Sequence, residues 1–226
     1  MTGAVRLAAL DMAGTTVSDD GVVERAFRRA LDAVGGVGDE SPVGDPDLFV
    51  RRTMGQSKIV VFTELFGGDG DKARQANAAF EEAFEAAVDR GEIAPLPGAA
   101  EAMAEMRAGG VLVCLTTGFA PSTRDRLLDV LGWRGSIDLA LSPADAGRGR
   151  PWPDMILTAV IRLRIEDVRQ VAVAGDTASD LLAGWRAGAG IVAGVLTGAH
   201  GRAELEAVPH THILSGVADL SGLVLS

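Results

Sequence analysis

The amino-acid sequence predicts an α/β fold, a doubly wound parallel sheet with a helical cap inserted after its first strand. Short, continuous apolar runs recur along the chain, as in strands that are buried on both faces of a parallel sheet. Helical patterns separate these runs, an alternation typical of this fold class. Residues 21–93 contain helical patterns without a good strand. We therefore predict a core of residues 1–20 and 94–226 and a cap of residues 21–93.

The predicted strands and helices of the core follow from local sequence patterns. The strands are the runs rich in Val, Leu and Ala that end in polar or glycine turns, namely residues 5–11, 110–117, 136–142, 170–176 and 189–198. The helices begin near Pro or Ser and three of the four end at Gly, as helix termini prefer. They span residues 97–110, 121–132, 151–164 and 178–190.

The cap is predicted from apolar residues that recur at helical spacing. One helical face contains Phe27, Ala30, Leu31 and Val34, and a second contains Phe80, Phe84, Ala87 and Val88. A glycine-rich loop at residues 35–47 separates the two, and Pro95–Gly98 is the predicted hinge back to the core.

The composition excludes several classes of protein. Of 226 residues, 47% are hydrophobic and 23% charged, which is typical of soluble globular proteins. The net charge of −10 disfavours nucleic acid and anionic membranes as partners. No apolar run approaches the roughly 20 residues of a membrane span. The single cysteine, Cys114, excludes a disulfide framework, and we expect a cytoplasmic protein.

Polar residues follow the predicted strands where each strand ends. Asp11 ends the first strand, Thr116 and Thr117 end the second, and Asp176 and Asp180 follow a later one. Ligands of open parallel sheets bind beyond the carboxyl ends of the strands. Arg150 adds a cation after a glycine-rich loop. A carboxylate nucleophile, hydroxyls, a cation and further carboxylates predict phosphoryl transfer through an aspartyl-phosphate, with Mg²⁺ held by oxygen ligands.

These motifs resemble those of the haloacid dehalogenase superfamily. "DMAGTT" at Asp11, "LTTG" at Thr117, "GRPWP" at Arg150 and "GDTASD" at Asp176 match its four ordered motifs. The resemblance implies a Rossmann-like core, with Asp11 as nucleophile and with Thr117 and Arg150 holding the phosphoryl oxygens. It implies metal ligation by Asp11, the Ala13 carbonyl, Asp176 and Asp180, and substrate contacts from Thr15, Thr116 and Gly118.

Ala13 departs from the first motif. Most phosphatases of this superfamily carry a second aspartate there, which protonates the departing alkoxide, a poor leaving group otherwise. The methyl side chain of Ala13 cannot donate a proton. Two interpretations remain open: a slow, degenerate phosphatase, or an enzyme whose leaving group does not need this acid.

Lys58 is unusual because the chain favours arginine. Lysine and arginine together number 21, of which only Lys58 and Lys72 are lysines. An amine can form a Schiff base with a carbonyl compound, whereas a guanidinium cannot. Desolvation beneath the cap would favour the neutral, nucleophilic amine. Lys58 is therefore a candidate catalytic residue.

Ala13 and Lys58 together resemble the phosphonoacetaldehyde hydrolase (phosphonatase) branch. "MGQSK", with Met54 and Gly55 on the substrate face of the cap, matches that branch. The resemblance implies that the amine condenses with the substrate aldehyde, so that the C–P bond breaks without an acid at Ala13. It also implies a homodimer formed through the cap. Three positions depart from the branch, where Val61 replaces His, Phe119 replaces Tyr and Val22 lies nearest to a Cys.

Two alternatives stay open alongside a phosphonatase-like hydrolase. One is a phosphomonoesterase acting on a small phosphorylated metabolite, similar to phosphoglycolate phosphatases, in which Lys58 only binds an anionic substrate. The other is a ligand-binding or regulatory protein on the same fold, which would bind Mg²⁺ without turnover.

Overall fold

Six parallel strands form the central sheet in the computed structural model, which describes residues 4–18, 20–37 and 42–226. They are β1 (Leu7–Asp11), β2 (Leu112–Thr116), β3 (Leu139–Leu141), β4 (Val171–Gly175), β5 (Ile191–Val195) and β6 (His212–Leu214). The order across the sheet is β3-β2-β1-β4-β5-β6. This confirms the predicted α/β fold, to which β6 is an addition that the sequence patterns did not indicate.

The central strand β1 determines where the functional groups lie. All five of its residues are buried, as the continuous apolar run predicts for a strand covered on both faces. Asp11 pairs in register with Thr116 of β2, and Leu10 pairs with Ala174 of β4. Since the pairings are parallel, the polar residues after these strands reach the same edge of the sheet.

Four helices follow β1 in the chain, before the chain returns to the core. They are α1 (Val22–Ala33), α2 (Pro46–Arg52), α3 (Lys58–Leu65) and α4 (Gly70–Asp89). The predicted apolar faces of α1 and α4 meet around the phenyl rings of Phe27 and Phe80, whose centroids are 5.0 Å apart. Phe62 of α3 packs against both rings. The inserted helices thus share a core, whereas their separation as a domain stays a prediction. The loop predicted at residues 35–47 lies partly outside the described residues.

The remaining helices surround the sheet. They are α5 (Ala99–Ala108), α6 (Pro121–Leu131), α7 (Pro143–Ala146), α8 (Asp154–Arg162), α9 (Ala178–Ala187), α10 (Arg202–Glu206) and α11 (Ala218–Val224). Helix α6 begins with Pro121 and ends before Gly132, which has a positive φ of 67°, the termini that the sequence pattern predicts. Among the described residues, no helix is both long and apolar enough to span a membrane.

Candidate active site

A cavity of about 550 Å³ opens beyond the carboxyl end of β1. The cap contributes Met54, Gly55 and Lys58 to its lining, and the core contributes Asp11, Ala13, Thr117, Gly118, Arg150 and Asp176. The sequence-predicted residues from both parts of the chain therefore surround one space. Thr15 and Thr116 lie outside the residues that line it, and the roles assigned to all of these site residues stay predictions.

Arg150 connects the functional groups at this edge of the sheet. Its guanidinium forms ion pairs with Asp11 (Nη1 to Oδ1, 2.6 Å) and with Asp180 (Nε to Oδ1, 2.9 Å). It also donates to the Thr116 hydroxyl over 2.8 Å and to the Gly55 carbonyl over 3.2 Å. One planar guanidinium can serve several acceptors in fixed directions. Arg150 therefore aligns the candidate nucleophile while it contacts the cap.

Asp11, Asp176 and Asp180 form a buried carboxylate cluster. One ligand atom from each lies within 4.8 Å of the others, and all three residues are at most 5% exposed. Burying three carboxylates against the single guanidinium of Arg150 leaves an excess of negative charge, which a hard cation with oxygen ligands would neutralise. The cluster is thus consistent with a metal site. When bound, a divalent cation would supply charge neutralisation and polarise a phosphoryl oxygen there.

Burial and mutual repulsion raise the pKa values of two of these carboxyl groups. Desolvation raises the pKa of Asp11 well above its usual range, Arg150 opposes this shift, and the negative charges of Asp180 and Asp176 add to it. Desolvation and the neighbouring Asp180 raise the pKa of Asp176 to about 6. For Arg150, desolvation disfavours the charged form, but Asp11 and Asp180 outweigh it and raise its pKa. Both shifts have the direction that desolvation and mutual repulsion of buried carboxylates produce.

Two loops hold Asp176 in place. Thr15 donates its hydroxyl to Asp176 Oδ1 over 3.3 Å, and the Ala199 N–H donates to Oδ2 over 2.7 Å. A Cβ at Gly14 would lie 2.5 Å from Oδ2, and one at Gly198 only 2.0 Å from it, so both loops need glycine to approach the carboxylate. The contribution of residues 197–200 was missed from the sequence, because the apolar run at residues 189–198 was predicted as strand to its end, whereas β5 ends at Val195.

In addition to its ion pair with Arg150, Asp180 accepts two hydrogen bonds from Thr177. Its Oδ2 accepts the Thr177 hydroxyl over 2.5 Å and the Thr177 N–H over 3.1 Å. These bonds cap the N-terminus of α9, as an aspartate three residues after a threonine commonly does. Asp180 therefore fixes Arg150 and the start of α9 together.

Lys58 is the first residue of α3 and is only 5% exposed. Its Nζ lies 5.4 Å, 5.8 Å and 5.7 Å from the ring centroids of Phe27, Phe80 and Phe119, respectively. Distances under about 6 Å allow cation–π attraction. The amine thus enters the cavity from an apolar, aromatic side of the cap.

The cap contacts the core closely beside Lys58. The Lys58 N–H donates to the Gly118 carbonyl over 3.4 Å. A Cβ at Gly118 would lie 2.3 Å from the Gln56 carbonyl oxygen, and one at Gly55 would lie 2.6 Å from Thr177 Oγ1. Gly55 also has a positive φ of 80°, a conformation that favours glycine. These two glycines are therefore required where the cap meets the core.

The sequence profile of haloacid dehalogenase-like hydrolases matches residues 5–188. The chain belongs to the haloacid dehalogenase-like hydrolases. Within this family, phosphonoacetaldehyde hydrolase from Pseudomonas fluorescens (strain Pf0-1) is 32% identical over 104 residues, which are 46% of this chain. That match spans only 38% of the relative's own length. The predicted family is thus confirmed, with distant, partial homology to phosphonoacetaldehyde hydrolases.

Solved structures of other proteins share the fold. A phosphonoacetaldehyde hydrolase like protein from Oleispira antarctica superposes with a TM-score of 0.81 at 21% identity, covering 99% of this chain and 92% of that one. A predicted phosphoglycolate phosphatase from Haemophilus somnus 129pt superposes with a TM-score of 0.78 at 16% identity, covering 97% of each chain. At these identities the likeness concerns the fold.

Proposed function

We propose that this hydrolase cleaves the C–P bond of a small phosphonate aldehyde, with Asp11 as nucleophile and Lys58 as Schiff-base amine. The observation that carries the proposal is the shared cavity: Lys58 enters from the cap, Asp11 faces it from the core, and Ala13 lies between strand and cap. Because Ala13 cannot act as an acid, the leaving group must be stabilised in another way. An iminium on Lys58 would do so by withdrawing electrons from the carbon whose bond to phosphorus breaks.

The proposed reaction begins when the neutral Lys58 amine attacks the aldehyde carbon. Loss of water then leaves an iminium. A carboxylate oxygen of Asp11 attacks phosphorus, and the C–P bonding pair moves toward the iminium nitrogen, giving an enamine and an aspartyl-phosphate. Protonation of the enamine carbon and hydrolysis of the regenerated iminium release acetaldehyde and free Lys58. A second water hydrolyses the aspartyl-phosphate and returns Asp11 with inorganic phosphate.

The residues around Asp11 and Lys58 support the roles proposed for these two side chains. Arg150 and Thr117 would hold the phosphoryl oxygens, with Thr117 lining the cavity beside Gly118. A divalent cation, proposed as Mg²⁺, would be held by Asp11, Asp176, Asp180 and the Ala13 carbonyl and would reduce the negative charge that opposes nucleophilic attack. The three phenyl rings near Lys58 attract a positive charge whether it resides on an ammonium or on an iminium.

The same rings limit the substrate class. Phe27, Phe80 and Phe119 lie beside Nζ, and this surrounding favours a small leaving fragment without a charged group, as acetaldehyde is. Val61 is buried and brings no titratable group to the amine. The proposal therefore names phosphonoacetaldehyde as the first substrate to test within that class.

The test is phosphate release from phosphonoacetaldehyde with Mg²⁺ by the native chain and three variants. Asp11→Asn and Lys58→Arg should each abolish turnover, because each removes a group that forms a covalent bond. Lys72→Arg is the matched control, since Lys72 donates to the Gly36 carbonyl over 3.0 Å and should tolerate arginine. Turnover by Lys58→Arg at the native rate would overturn the Schiff-base assignment.

A phosphomonoesterase is the second candidate, favoured by the valine and phenylalanine at the positions where the phosphonatase branch has His and Tyr. In that case Lys58 would bind an anionic group, and hydrolysis of phosphate monoesters such as phosphoglycolate would survive Lys58→Arg. Ala13→Asp would then supply the acid and raise the rate. Mg²⁺ binding without turnover of any phosphorylated compound would favour the ligand-binding alternative.

The homodimer implied by the sequence resemblance is a separate proposal. Light scattering of the purified chain would test it, with a mass of twice 23.3 kDa as the expected result.

A further inference from the structure

His200 lies in the loop between β5 and α10, where it lines the cavity and is only 7% exposed. The function proposed above does not use it. Its backbone N–H donates to the Asp176 carbonyl over 3.3 Å, and the neighbouring Ala199 N–H donates to the Asp176 carboxylate. The ring is therefore attached to a segment whose position the core already fixes.

The hydrogen bonds of His200 determine its tautomer. The Ala178 N–H lies 3.0 Å from Nδ1, and a backbone N–H can only donate, so Nδ1 carries no hydrogen. The hydrogen of the neutral ring is then on Nε2. Nε2 lies 3.3 Å from the Arg51 carbonyl oxygen, which can only accept. The ring thus accepts from the core helix α9 and donates to the cap helix α2.

Arg51 is in the last turn of α2, and its carbonyl oxygen accepts from the Met54 N–H over 3.3 Å as well as from the ring, since a carbonyl oxygen has two lone pairs. The chain then continues through Met54 and Gly55 to Lys58, and all three residues line the cavity. His200 contacts the start of this segment, and Gly118 contacts its end through the Lys58 N–H. The two contacts bracket the part of the cap that faces the candidate nucleophile.

We propose that His200 is a positioning residue that holds cap residues 51–58 against the core by donating Nε2–H to the Arg51 carbonyl. Both ring nitrogens contact backbone groups of Ala178 and Arg51, so the proposed role is to hold these two segments together. The ring acts by favouring the arrangement in which Lys58 and Asp11 face the same cavity. The proposal rests on the proposed function for its kinetic readout but not for its structural one.

Two substitutions of His200 test its two hydrogen bonds independently. His200→Asn offers a short side chain whose oxygen can accept from Ala178 but whose amide cannot reach Arg51. His200→Gln places an amide N–H near the position of Nε2 and should restore the bond to the cap. His210→Asn is the matched control, because His210 contacts the Val208 carbonyl and does not line the cavity.

Hydrogen exchange of the peptide that contains the Lys58 amide is the first readout, since local opening sets its rate. The loss of one hydrogen bond should accelerate exchange about fivefold in His200→Asn, with native rates in His200→Gln and His210→Asn. With a substrate that the protein hydrolyses, KM should rise about fivefold in His200→Asn, while kcat should change less than about twofold.

The proposal is overturned if His200→Asn exchanges at the native rate, or if His200→Gln behaves like His200→Asn. It is also overturned if exchange accelerates equally in peptides from β4, because that pattern indicates a general loss of stability. Selective acceleration in a chain that turns over no phosphorylated compound would support the positioning role and refute the proposed function instead.

Discussion

The raised pKa of Asp176 predicts that the metal-free protein loses stability as the pH rises. The perturbation is Asp176→Asn, which replaces the carboxyl group with a neutral amide of the same shape. Burial and Asp180 raise the pKa from the ordinary 3.8 to about 6, so between these values the folded state binds more protons than the unfolded state. The stability that Asp176 contributes is therefore fully present below about pH 4 and is lost as the pH rises from there through about 6.

The size of the effect follows from that shift. Two pKa units correspond to about 3 kcal/mol, so in EDTA at pH 7.5 the asparagine variant should be more stable by roughly that amount, and at pH 4 the two should be equal. Mg²⁺ at a hundred times its dissociation constant should stabilise the native chain by about 2.7 kcal/mol and the variant by much less. Urea unfolding at both pH values measures this directly. Equal stabilities at pH 7.5 in EDTA, or equal gains from Mg²⁺, would refute the argument.

Three further substitutions test the contacts of the site. Gly55→Ala places a methyl group 2.6 Å from Thr177 Oγ1 and should lower kcat/KM at least about tenfold by displacing the cap. Gly35→Ala, at a residue with a φ of 77° and with no atom within 4 Å of the added methyl group, controls for backbone strain of about 1–2 kcal/mol. Equal kcat/KM values in the two variants would contradict the steric account. Arg150→Met leaves Asp11 and Asp180 without their cation and should lower the free energy of unfolding by about 3 kcal/mol at pH 7.5. Urea titrations should show a smaller loss at pH 5. A loss of stability that does not depend on pH would show that repulsion between the carboxylates is not the cause. Ala13→Asp should leave turnover of phosphonoacetaldehyde at or below the native rate, because the proposed leaving group departs through the iminium; an increase in phosphate release from that substrate would show that the acid was needed.

The sequence predicted the sheet and much of the site for one physical reason. Parallel strands end at a common edge, so residues far apart in sequence, such as Asp11, Thr117 and Asp176, could be placed together from strand ends alone. The strand β6 was missed because its residues, His212–Leu214, are only half-buried and form no continuous apolar run like the one that predicted β3. Helices α10 and α11, with five and seven residues, are too short to establish a helical period.

Contacts that depend on how helices pack could not be predicted from the sequence. Helical spacing predicted that Phe27 and Phe80 belong to apolar cap faces, but not that both rings approach Lys58. His200 was overlooked because its role depends on hydrogen bonds to the backbone of Ala178 and Arg51, whose geometry residue identities do not encode. Asp180 was predicted near the metal, whereas its bonds to Arg150 and Thr177 emerge only from the fold.

Borohydride trapping of the protein with phosphonoacetaldehyde tests the central claim most directly. Reduction of an iminium on Lys58 would fix the substrate-derived carbons to that side chain, and mass spectrometry of peptides would locate them. The account predicts a covalent adduct on the peptide containing Lys58 in the native chain and in Asp11→Asn, and no adduct at that position in Lys58→Arg. An unmodified Lys58 peptide from a preparation that releases phosphate from the same substrate would contradict it.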